Sequence, residues 1–439
     1  MSDPVTLLAN LPQRFPQVRR WCIAFSGGLD SQVLLSVAVQ ALPLSSILVL
    51  HVNHQLQTHA NAWQEHARQT AEKLGVEFVA LKVDPVSSSE ASARNARYSA
   101  FSQILGEGDA LLMAHHADDQ AETLMFRLCR GSGVAGLVGI PDVRALDQAI
   151  IIRPWLTLSR EELHTWAKQH ALDWVEDPTN QHTDYDRNYL RLEVLPTLRA
   201  RWPKLNQRLV ETASHMSEAQ SILRDMAALD WQQVAEMPEV IRIPPLLSLS
   251  LARQHNLLRY WLASHSISLS ESQVEQLRVQ FLSGGQNPER LLKLNDRYGL
   301  RTYRQRLFLA PLVAHDIKRH IMKLSQMMIL PAGELHLPES ILAYDQPLFI
   351  DYGRQDDKIY PAGRGVGKSL KQLFQEKGVP PWLRASWPLL GDEKGVLWVP
   401  GICFDQRWQK KEDSVGSWQP FGLSEQPFFV SLQYHLDPS

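Results

Sequence analysis

The first half of the chain repeats a short apolar run, a break at glycine or polar residues, and a segment with helical spacing. The apolar runs begin near Trp21, Ser46, Val76 and Asp109. Their β-branched residues and leucines are typical of buried strands, and the segments between them have the length of helices. This alternation predicts an α/β fold with a doubly wound, mostly parallel sheet.

The pattern changes twice beyond this region. Helical spacing runs from about residue 209 to 262, with an interruption at Pro244 and Pro245, and short alternating runs from about 286 to 309 favour strands. A length of 439 residues fits two to four domains, at roughly 100–200 residues each. We therefore predict an α/β domain over residues 1–215, a mainly helical domain over 216–335 and a small C-terminal α+β domain over 336–439.

Composition excludes several classes of protein. The hydrophobic fraction of 44% and the charged fraction of 21% are ordinary for a globular chain. No apolar segment approaches the roughly 20 residues of a membrane span, and the first residues lack the pattern of a signal peptide. We expect a cytoplasmic protein without membrane contact, and no feature indicates an obligate protein partner. The three cysteines, Cys22, Cys129 and Cys403, are too scattered for a disulfide framework or a zinc site.

The first strand ends at the hexapeptide Ser-Gly-Gly-Leu-Asp-Ser, which begins at Ser26 and leads into a helix. Gly27 and Gly28 carry no Cβ, so an anion can approach the backbone N–H groups at the helix start. The hydroxyls of Ser26 and Ser31 add donors. Asp30 would repel a polyphosphate unless a metal ion neutralised both, and we therefore infer Mg²⁺. Taken as a bare pattern, the hexapeptide could also be a polar turn that caps a helix.

A second glycine-rich segment, residues 363–369, is not a Walker loop, because Ala362 stands where that pattern requires glycine. It leads into a predicted amphipathic helix that carries Lys368, Lys371 and Lys377. These lysines favour a contact with RNA phosphate over one with ATP.

Charged residues follow the fourth strand. Asp119 and Glu122 are three residues apart on a predicted helix and therefore share a face. Such carboxylates can hold a cationic substrate, hold Mg²⁺, or interact with the positive end of the helix dipole. Interaction with the helix dipole explains the position of Asp118 but not that of Glu122. The three possible roles of these carboxylates therefore stay open at this point.

Four histidines lie in pairs at predicted strand ends: His51, His54, His115 and His116. No cysteine or carboxylate completes a pattern with zinc spacing. Contact with a nucleotide, or ordinary loop packing, is favoured over a metal site.

Positive charge is clustered although the net charge is only −2. The ranges 187–208 and 290–306 each contain six basic residues and one acidic residue. Most such runs are solvated faces, but several in one mildly acidic chain favour contact with a polyanion.

Together these motifs resemble the tRNA(Ile)-lysidine synthetase family of the PP-loop ATP pyrophosphatases. The strong match covers about residues 20–215, and the tail fits the three-domain members of the family less specifically. One departure is Asn53, where an aspartate often stands. The matching segments are residues 26–31, 51–54, 90–94, 97–98, 114–119, 122–123, 153–154 and 177–180, with Lys368, Leu370, Lys371, Pro380, Trp382 and Arg384 in the tail.

The resemblance implies a reaction and a set of site residues. ATP adenylates carbon 2 of the wobble cytidine in a CAU anticodon of tRNA(Ile), and L-lysine displaces AMP to give lysidine. The implied nucleotide contacts are Ser26, Gly27, Gly28, Leu29, Asp30, Ser31, His51, Asn53, His54 and His115, with Asp30 on Mg²⁺. The implied lysine contacts are Asp119 and Glu122, the catalytic arginines are Arg94, Arg97, Arg187 and Arg191, and the RNA contacts are Lys368, Lys371 and Arg384.

Two rival functions remain open. A tRNA thiolase of the same superfamily would adenylate tRNA in the same way, but it needs a reactive cysteine pair or a cysteine that carries a persulfide. The three cysteines of this chain are far apart in sequence. The rival from outside the enzymes is an RNA-binding protein that only retains a nucleotide-binding fold.

Overall fold

The computed structural model divides the chain into two compact units, Met1–Ile222 and Leu223–Ser439. His54 and the segment 177–180, both part of the motifs above, lie outside the described residues. The three-domain division stays a prediction. The described residues are 3–53, 60–83, 90–176, 186–282, 290–312, 327–330, 333–337, 341, 347–354, 357–361, 366–408 and 417–420.

The first unit is built on one six-stranded sheet with helices on both faces. Its strands are β1 (Arg20–Ala24), β2 (Ile47–Asn53), β3 (Glu77–Lys82), β4 (Asp109–Leu112), β5 (Val143–Leu146) and β6 (Ala149–Ile152). Its helices are α1 (Pro4–Ala9), α2 (Leu11–Arg14), α3 (Leu29–Ala41), α4 (Ala60–Leu74), α5 (Glu90–Ile104), α6 (Ala117–Cys129), α7 (Val134–Leu137), α8 (Arg160–Gln169), α9 (Asp186–Tyr189) and α10 (Leu195–Arg201). A 3₁₀ turn covers Leu44–Ser46, and a π-helical turn, Leu190–Val194, joins α9 to α10.

The strand order is β3-β2-β1-β4-β6-β5, and every neighbouring pair is parallel except β5 with β6. This confirms the predicted doubly wound, mostly parallel sheet. The chain leaves β1 on one side to form β2 and β3, and then returns to place β4 on the other side of β1. The carboxyl ends of β1 and β4 therefore flank a topological switch point, where open α/β sheets bind their ligands.

Successive residues of the central strands point to opposite faces of the sheet and enter two separate cores. Ile23 and Val49 belong to the core beneath helices α3 and α8. Cys22 and Leu48 belong to the core on the other face, together with Tyr98 from helix α5. Because both faces are covered, the strands read as nearly continuous apolar runs in the sequence.

In its described residues, the second unit combines helices with four small sheets. Its helices are α12 (Ile243–Ser248), α13 (Leu251–Ser264), α14 (Glu271–Leu277), α15 (Leu370–Glu376) and α16 (Pro381–Arg384), with a π-helical turn at Arg278–Leu282; helix α11 (Leu205–Val234) contains the boundary between the units. Its strands are β7 (Ala235–Met237), β8 (Val240–Arg242), β9 (Leu292–Lys293), β10 (Tyr298–Tyr303), β11 (Arg306–Pro311), β12 (Met327–Leu330), β13 (Gly333–His336), β14 (Phe349–Asp351), β15 (Lys358–Ile359), β16 (Lys368–Ser369), β17 (Leu389–Asp392), β18 (Gly395–Val399), β19 (Cys403–Phe404) and β20 (Ser417–Pro420).

The strands expected between residues 286 and 309 are present as β9, β10 and β11, in the sheet β7-β8-β11-β10-β9. Strands β7 and β8 interrupt the run that the sequence predicts to be helical. Each has only three residues, and β8 pairs with β11 through Val240 and Phe308, a distant part of the chain. Within the described part of the chain, no helix has the length and hydropathy needed to cross a membrane.

Candidate active site

The loop between β1 and α3 is closed by hydrogen bonds among its own residues. The Ser31 hydroxyl accepts the backbone N–H of Ser26 at 3.2 Å and donates to the carbonyl of Gly28 at 3.0 Å. Gly27 has a φ of +85°, in the left-handed region that favours glycine, and its carbonyl accepts the N–H of Val175 at 2.9 Å. These bonds fix the backbone of the loop at the carboxyl end of β1.

The loop has the features of an anion and cation site. A Cβ added at Gly28 would lie 3.5 Å from the Ser26 hydroxyl, an ordinary contact, so close packing does not require glycine there. Because glycine has no Cβ, the backbone amides at the start of helix α3 are open to an anion. The Oδ1 atom of Asp30 is buried and has no hydrogen-bond partner. A buried carboxylate oxygen without a partner is costly, so Asp30 fits a role in holding a cation such as Mg²⁺.

His116 links the loop to the next strand end across the switch point. Its Nε2 lies 3.6 Å from a carboxylate oxygen of Asp30. Burial alone would lower the pKa of His116, but the interaction with Asp30 and the charge of Asp119 raise it above its ordinary value. The sequence places His116 at this strand end but does not reveal its contact with Asp30.

The start of helix α6 is capped by His116 and Asp119. The His116 ring accepts the backbone N–H of Asp119 at 3.3 Å, and the Asp119 carboxylate accepts the N–H of His116 at 3.1 Å. Asp118 lies in the first turn of the helix, as its predicted interaction with the helix dipole requires, but it makes no hydrogen bond of the cap. Asp118 instead accepts the backbone N–H of Arg160 at 2.9 Å and the side-chain amide of Asn206 at 2.7 Å.

Glu122 is almost completely buried and is held by two arginines. The Arg191 guanidinium donates to both of its carboxylate oxygens, at 2.6 and 2.8 Å, and Arg187 lies 3.7 Å away. Arg191 is also 3.6 Å from Asp119. The hydrogen bond to Glu122 raises the pKa of Arg191 above its ordinary value. The predicted lysine contacts and two predicted catalytic arginines therefore lie together.

Arg191, which contacts Glu122, lies in a π-helical turn. Arg191 lies in the turn Leu190–Val194, and Pro196 follows within the first turn of α10. Because proline has no N–H to donate, the regular hydrogen-bond ladder cannot continue through it. Such π turns recur at functional sites. The sequence identifies the arginine run but not this local geometry.

The predicted nucleotide contacts on β2 form internal hydrogen bonds. The Nδ1 atom of His51 lies 2.9 Å from the carbonyl oxygen of Phe25, and burial lowers the pKa of this histidine. The Asn53 amide donates to the side chain of Gln64 at 2.9 Å. Burial also lowers the pKa of His115, to about 4. These residues shape the carboxyl edge of the sheet, and their contact with a nucleotide stays a prediction.

Arg94 and Arg97 lie on helix α5, on the face of the sheet opposite α3. The Arg94 guanidinium lies over the ring of Tyr98, 5.5 Å from its centroid. The charge of Arg97 is among those that hold down the pKa of His115, after burial and the charge of Arg153. Arg97 is thus electrostatically coupled to the strand end that also carries His116.

The predicted RNA contacts in the second unit have different environments. Lys371 is exposed. Lys368 lies on strand β16 and not on the predicted helix, which begins at Leu370, and it forms an ion pair with Glu376 at 2.7 Å. Arg384 is only 7% exposed and donates to the carbonyl of Val379 and the hydroxyl of Tyr303. Its burial favours a packing role for Arg384 over a phosphate contact.

A cavity of about 620 Å³ lies beside the loop, and sequence reasoning missed it. This volume is within the range of small-ligand pockets. Its walls come from several separate segments, so no single motif marks it; they include Leu29, Asp118, Trp174, Arg199 and Lys204. Among the described residues, no group of three histidine, cysteine or acidic side chains is placed to hold a metal ion.

Three family models match this chain. The model described as a PP-loop domain matches residues 5–198, the TilS substrate binding domain matches 242–308, and the TilS substrate C-terminal domain matches 348–419. The PP-loop match shows that the chain uses the ATP-binding fold of that superfamily.

Curated relatives match nearly the whole chain. A tRNA(Ile)-lysidine synthase from Pseudomonas syringae pv. tomato is 38% identical, over 89% of this chain and 91% of the relative. One from Pseudomonas aeruginosa is 39% identical, over 87% of this chain and 90% of the relative. One from Pseudomonas fluorescens is 36% identical, over 94% of this chain and 98% of the relative. Identity at this level over full-length relatives, together with the closed loop and the paired carboxylates beside it, shows that the chain belongs to the tRNA(Ile)-lysidine synthase family.

Proposed function

We propose that this enzyme uses ATP to adenylate the wobble cytidine of the tRNA(Ile) with a CAU anticodon, and that L-lysine then displaces AMP. In the first step the oxygen on carbon 2 of cytidine attacks the α-phosphorus of ATP, and pyrophosphate leaves. In the second step a lysine amine attacks carbon 2 and loses a proton, and AMP leaves with the oxygen. The product is lysidine, and a tRNA substrate supports a cytoplasmic location for the enzyme.

The observation that carries this proposal is the position of the Asp119 and Glu122 carboxylates beside the loop Ser26–Ser31. Asp30 contacts His116, and His116 is bonded to Asp119 one turn before Glu122. An anion on the loop amides and an ammonium group on helix α6 would therefore meet at the switch point. Holding both reactants at one place is the main contribution that an enzyme makes to a two-substrate reaction.

The loop would bind the leaving pyrophosphate. The open amides at the start of α3 and the hydroxyls of Ser26 and Ser31 supply donors to phosphate oxygens. Asp30 would hold Mg²⁺ through its unpartnered Oδ1, and the ion, when bound, neutralises charge on the phosphates.

Arg191 has a place in both steps of the proposal. In the described structure it neutralises Glu122, so the buried carboxylate never lacks a positive partner. When the lysine ammonium group takes over that carboxylate, the guanidinium is released next to the phosphates. Arg187 remains near Glu122 and supports the same exchange. Arginine suits this role, because its planar donors match carboxylate and phosphate geometry equally well.

The cysteines do not support the thiolase alternative. Cys22 lies inside the sheet, and burial raises the pKa of its thiol to about 12, so the nucleophilic thiolate is scarce at neutral pH. Cys129 ends the 13-residue helix α6, so about 18 Å of helix separates it from the crevice. Cys403 is buried in the second unit.

The direct test is mass analysis of tRNA(Ile) after incubation with the enzyme, ATP and one amino acid at a time. Lysine should add its own mass less one water, and this gain should require ATP. A transcript with another base at the wobble position serves as the control. A gain in mass that corresponds to sulfur, or none with any amino acid, would refute the proposed function.

A further inference from the structure

Four arginines lie near one another on the face of the sheet that carries helix α5, and three of them contact Tyr98. These three are Arg94, Arg144 and Arg153. The fourth is Arg127, whose pKa is lowered by burial and by the charge of Arg94. We call the four residues the arginine cluster. Arg94 comes from α5, Arg127 from α6, Arg144 from β5, and Arg153 directly follows β6. The family resemblance assigns a role to Arg94 alone, and Arg144 lies outside every motif noted in the sequence.

Tyr98 contacts three of the four guanidinium groups. Arg94 and Arg144 lie over its ring, with 5.5 and 4.8 Å between the guanidinium carbon and the ring centroid. Arg153 lies 3.5 Å from its hydroxyl. Burial alone would raise the pKa of Tyr98, but the charges of Arg153 and Arg94 lower it below its ordinary value. The tyrosine therefore lies in a strongly positive field.

Within the part of the chain that the structure describes, the buried arginines of the cluster contact neutral groups. Arg153 is only 2% exposed, and its Nε has no hydrogen-bond partner. Its other contacts are neutral, namely the carbonyl of Pro141 at 2.7 Å and the Tyr98 hydroxyl. Arg127 donates to the carbonyls of Gly136 and Gly139.

Among the described residues, no carboxylate forms an ion pair with Arg94, Arg127, Arg144 or Arg153. Burial lowers the pKa of Arg153, and repulsion from Arg144 and Arg94 adds to this effect. A buried charge without a counter-charge destabilises a fold. Stability therefore does not explain the cluster, whereas an anionic ligand would supply the missing negative charge.

We propose that the arginine cluster binds a backbone phosphate of the substrate RNA. This inference rests on the proposed function, since it takes tRNA as the substrate. Arginine, with its planar set of donors, is well suited to phosphate, and Arg144 and Arg94 are exposed at the open side of the cluster.

The sheet topology favours RNA over ATP as the source of this phosphate. The pyrophosphate loop follows β1, and Arg144 lies on β5, three strands further along the order β1-β4-β6-β5. Three strand spacings amount to about 14 Å. The phosphates of an ATP molecule held by the loop would therefore lie about three strand spacings from the strand that carries Arg144, whereas an RNA strand whose wobble base enters the crevice would extend over a longer distance.

The test compares tRNA binding by Arg144→Ala, Arg144→Lys and Arg14→Ala, each at several salt concentrations. Arg144 is exposed, so its replacement leaves the core intact. Arg14 is the matched control, because it is an exposed arginine near the same hairpin but is already paired with Asp142 at 2.7 Å. Dissociation constants for tRNA and for ATP are measured for every variant.

Arg144→Ala should raise the Kd for tRNA about tenfold. It should also make the slope of log affinity against log salt shallower by about 0.7–0.9. Arg144→Lys keeps the charge and should keep the wild-type slope. The Kd for ATP should stay within about twofold in all variants, and Arg14→Ala should bind tRNA like the wild type.

Three results would overturn the inference. A raised Kd for ATP with unchanged tRNA binding would assign the cluster to the nucleotide. Equal effects of Arg144→Ala and Arg14→Ala would show that only overall charge matters. Unchanged tRNA binding by Arg144→Ala would leave the cluster without a role in RNA binding. Failure of the proposed function is distinguishable from all three, since the wild-type enzyme would then add no lysine to tRNA.

Discussion

Replacing Asp119 by asparagine and Glu122 by glutamine removes two negative charges from helix α6 and preserves the size of both side chains. The asparagine would be able to accept the N–H of His116 through its amide oxygen, so the helix cap should survive. The glutamine would keep one acceptor for Arg191. The fold should therefore tolerate the double substitution, while an incoming ammonium group loses both of its ionic partners.

The expected size of the effect follows from the contacts of Glu122. Its two bonds to Arg191, at 2.6 and 2.8 Å, show that the carboxylate is placed to make charge-assisted hydrogen bonds. Each such bond contributes roughly 1.5–3 kcal/mol, which corresponds to about tenfold or more in affinity. Loss of one ionic contact at each position should raise the KM for lysine about 100-fold. The KM for ATP should change by no more than about threefold, because the phosphate loop is untouched.

The assay is pyrophosphate release and lysine incorporation into tRNA, each measured over a range of lysine concentrations. Glu162→Gln is the matched control, since Glu162 also belongs to a capping box, with Ser159, but on helix α8. That control should lose a little stability and keep the wild-type KM for lysine. If the double substitution leaves the lysine dependence unchanged, the two carboxylates serve only to cap the helix and position Arg191, and the lysine site lies elsewhere.

Three further predictions concern the loop, the cysteines and the second unit. Asp30→Ala should abolish pyrophosphate release but leave the affinity for tRNA within about twofold, and release at the wild-type rate would contradict the metal role of Asp30. Replacing Cys22 and Cys129 by alanine and Cys403 by serine should lower the free energy of unfolding by about 1–3 kcal/mol, yet lysine incorporation should persist; a folded variant that binds both substrates but makes no product would favour the thiolase. Lys371→Ala should make the salt dependence of tRNA binding shallower by about one unit, and an unchanged slope would remove this lysine from the RNA surface.

The sheet could be predicted because its strands are marked by local features. Each buried strand of the first unit is an apolar run followed by a helical segment, and the helix end at Gly75 shows the expected left-handed φ of +69°. Strands β7 and β8 are not apolar runs followed by a helical segment. Their three residues each are too short for a periodicity, and β8 depends on a partner strand about 70 residues away in sequence. Short strands defined by distant partners are therefore the part of this fold that pattern reading misses.

The candidate site likewise contains features that the sequence predicts and features that only the folded structure reveals. The loop from Ser26 to Ser31 is a continuous motif whose glycines and hydroxyls have direct chemical meaning, so it could be identified from sequence. The sequence places Asp118 in the first turn of α6 but does not show that His116 and Asp119 make the hydrogen bonds of the cap. Several polar residues at a helix start are able to make such bonds, and the side-chain directions decide between them. The burial of Arg384, too, depends on tertiary packing, which a count of basic residues cannot reveal.

The pairing of Arg191 with Glu122 shows why a charge pattern alone does not define a substrate site. The two residues are 69 positions apart, and Arg191 lies in a π-helical turn whose geometry the sequence does not reveal. A buried carboxylate at Glu122 without Arg191 would be unstable, so this arginine must be present when lysine is not. Arg191 must also be able to dissociate from Glu122, because the same carboxylate would bind the lysine ammonium group. The same contact would then stabilise the free enzyme and set the affinity for lysine, and these two roles are separated only by measuring stability and lysine KM in the same variants.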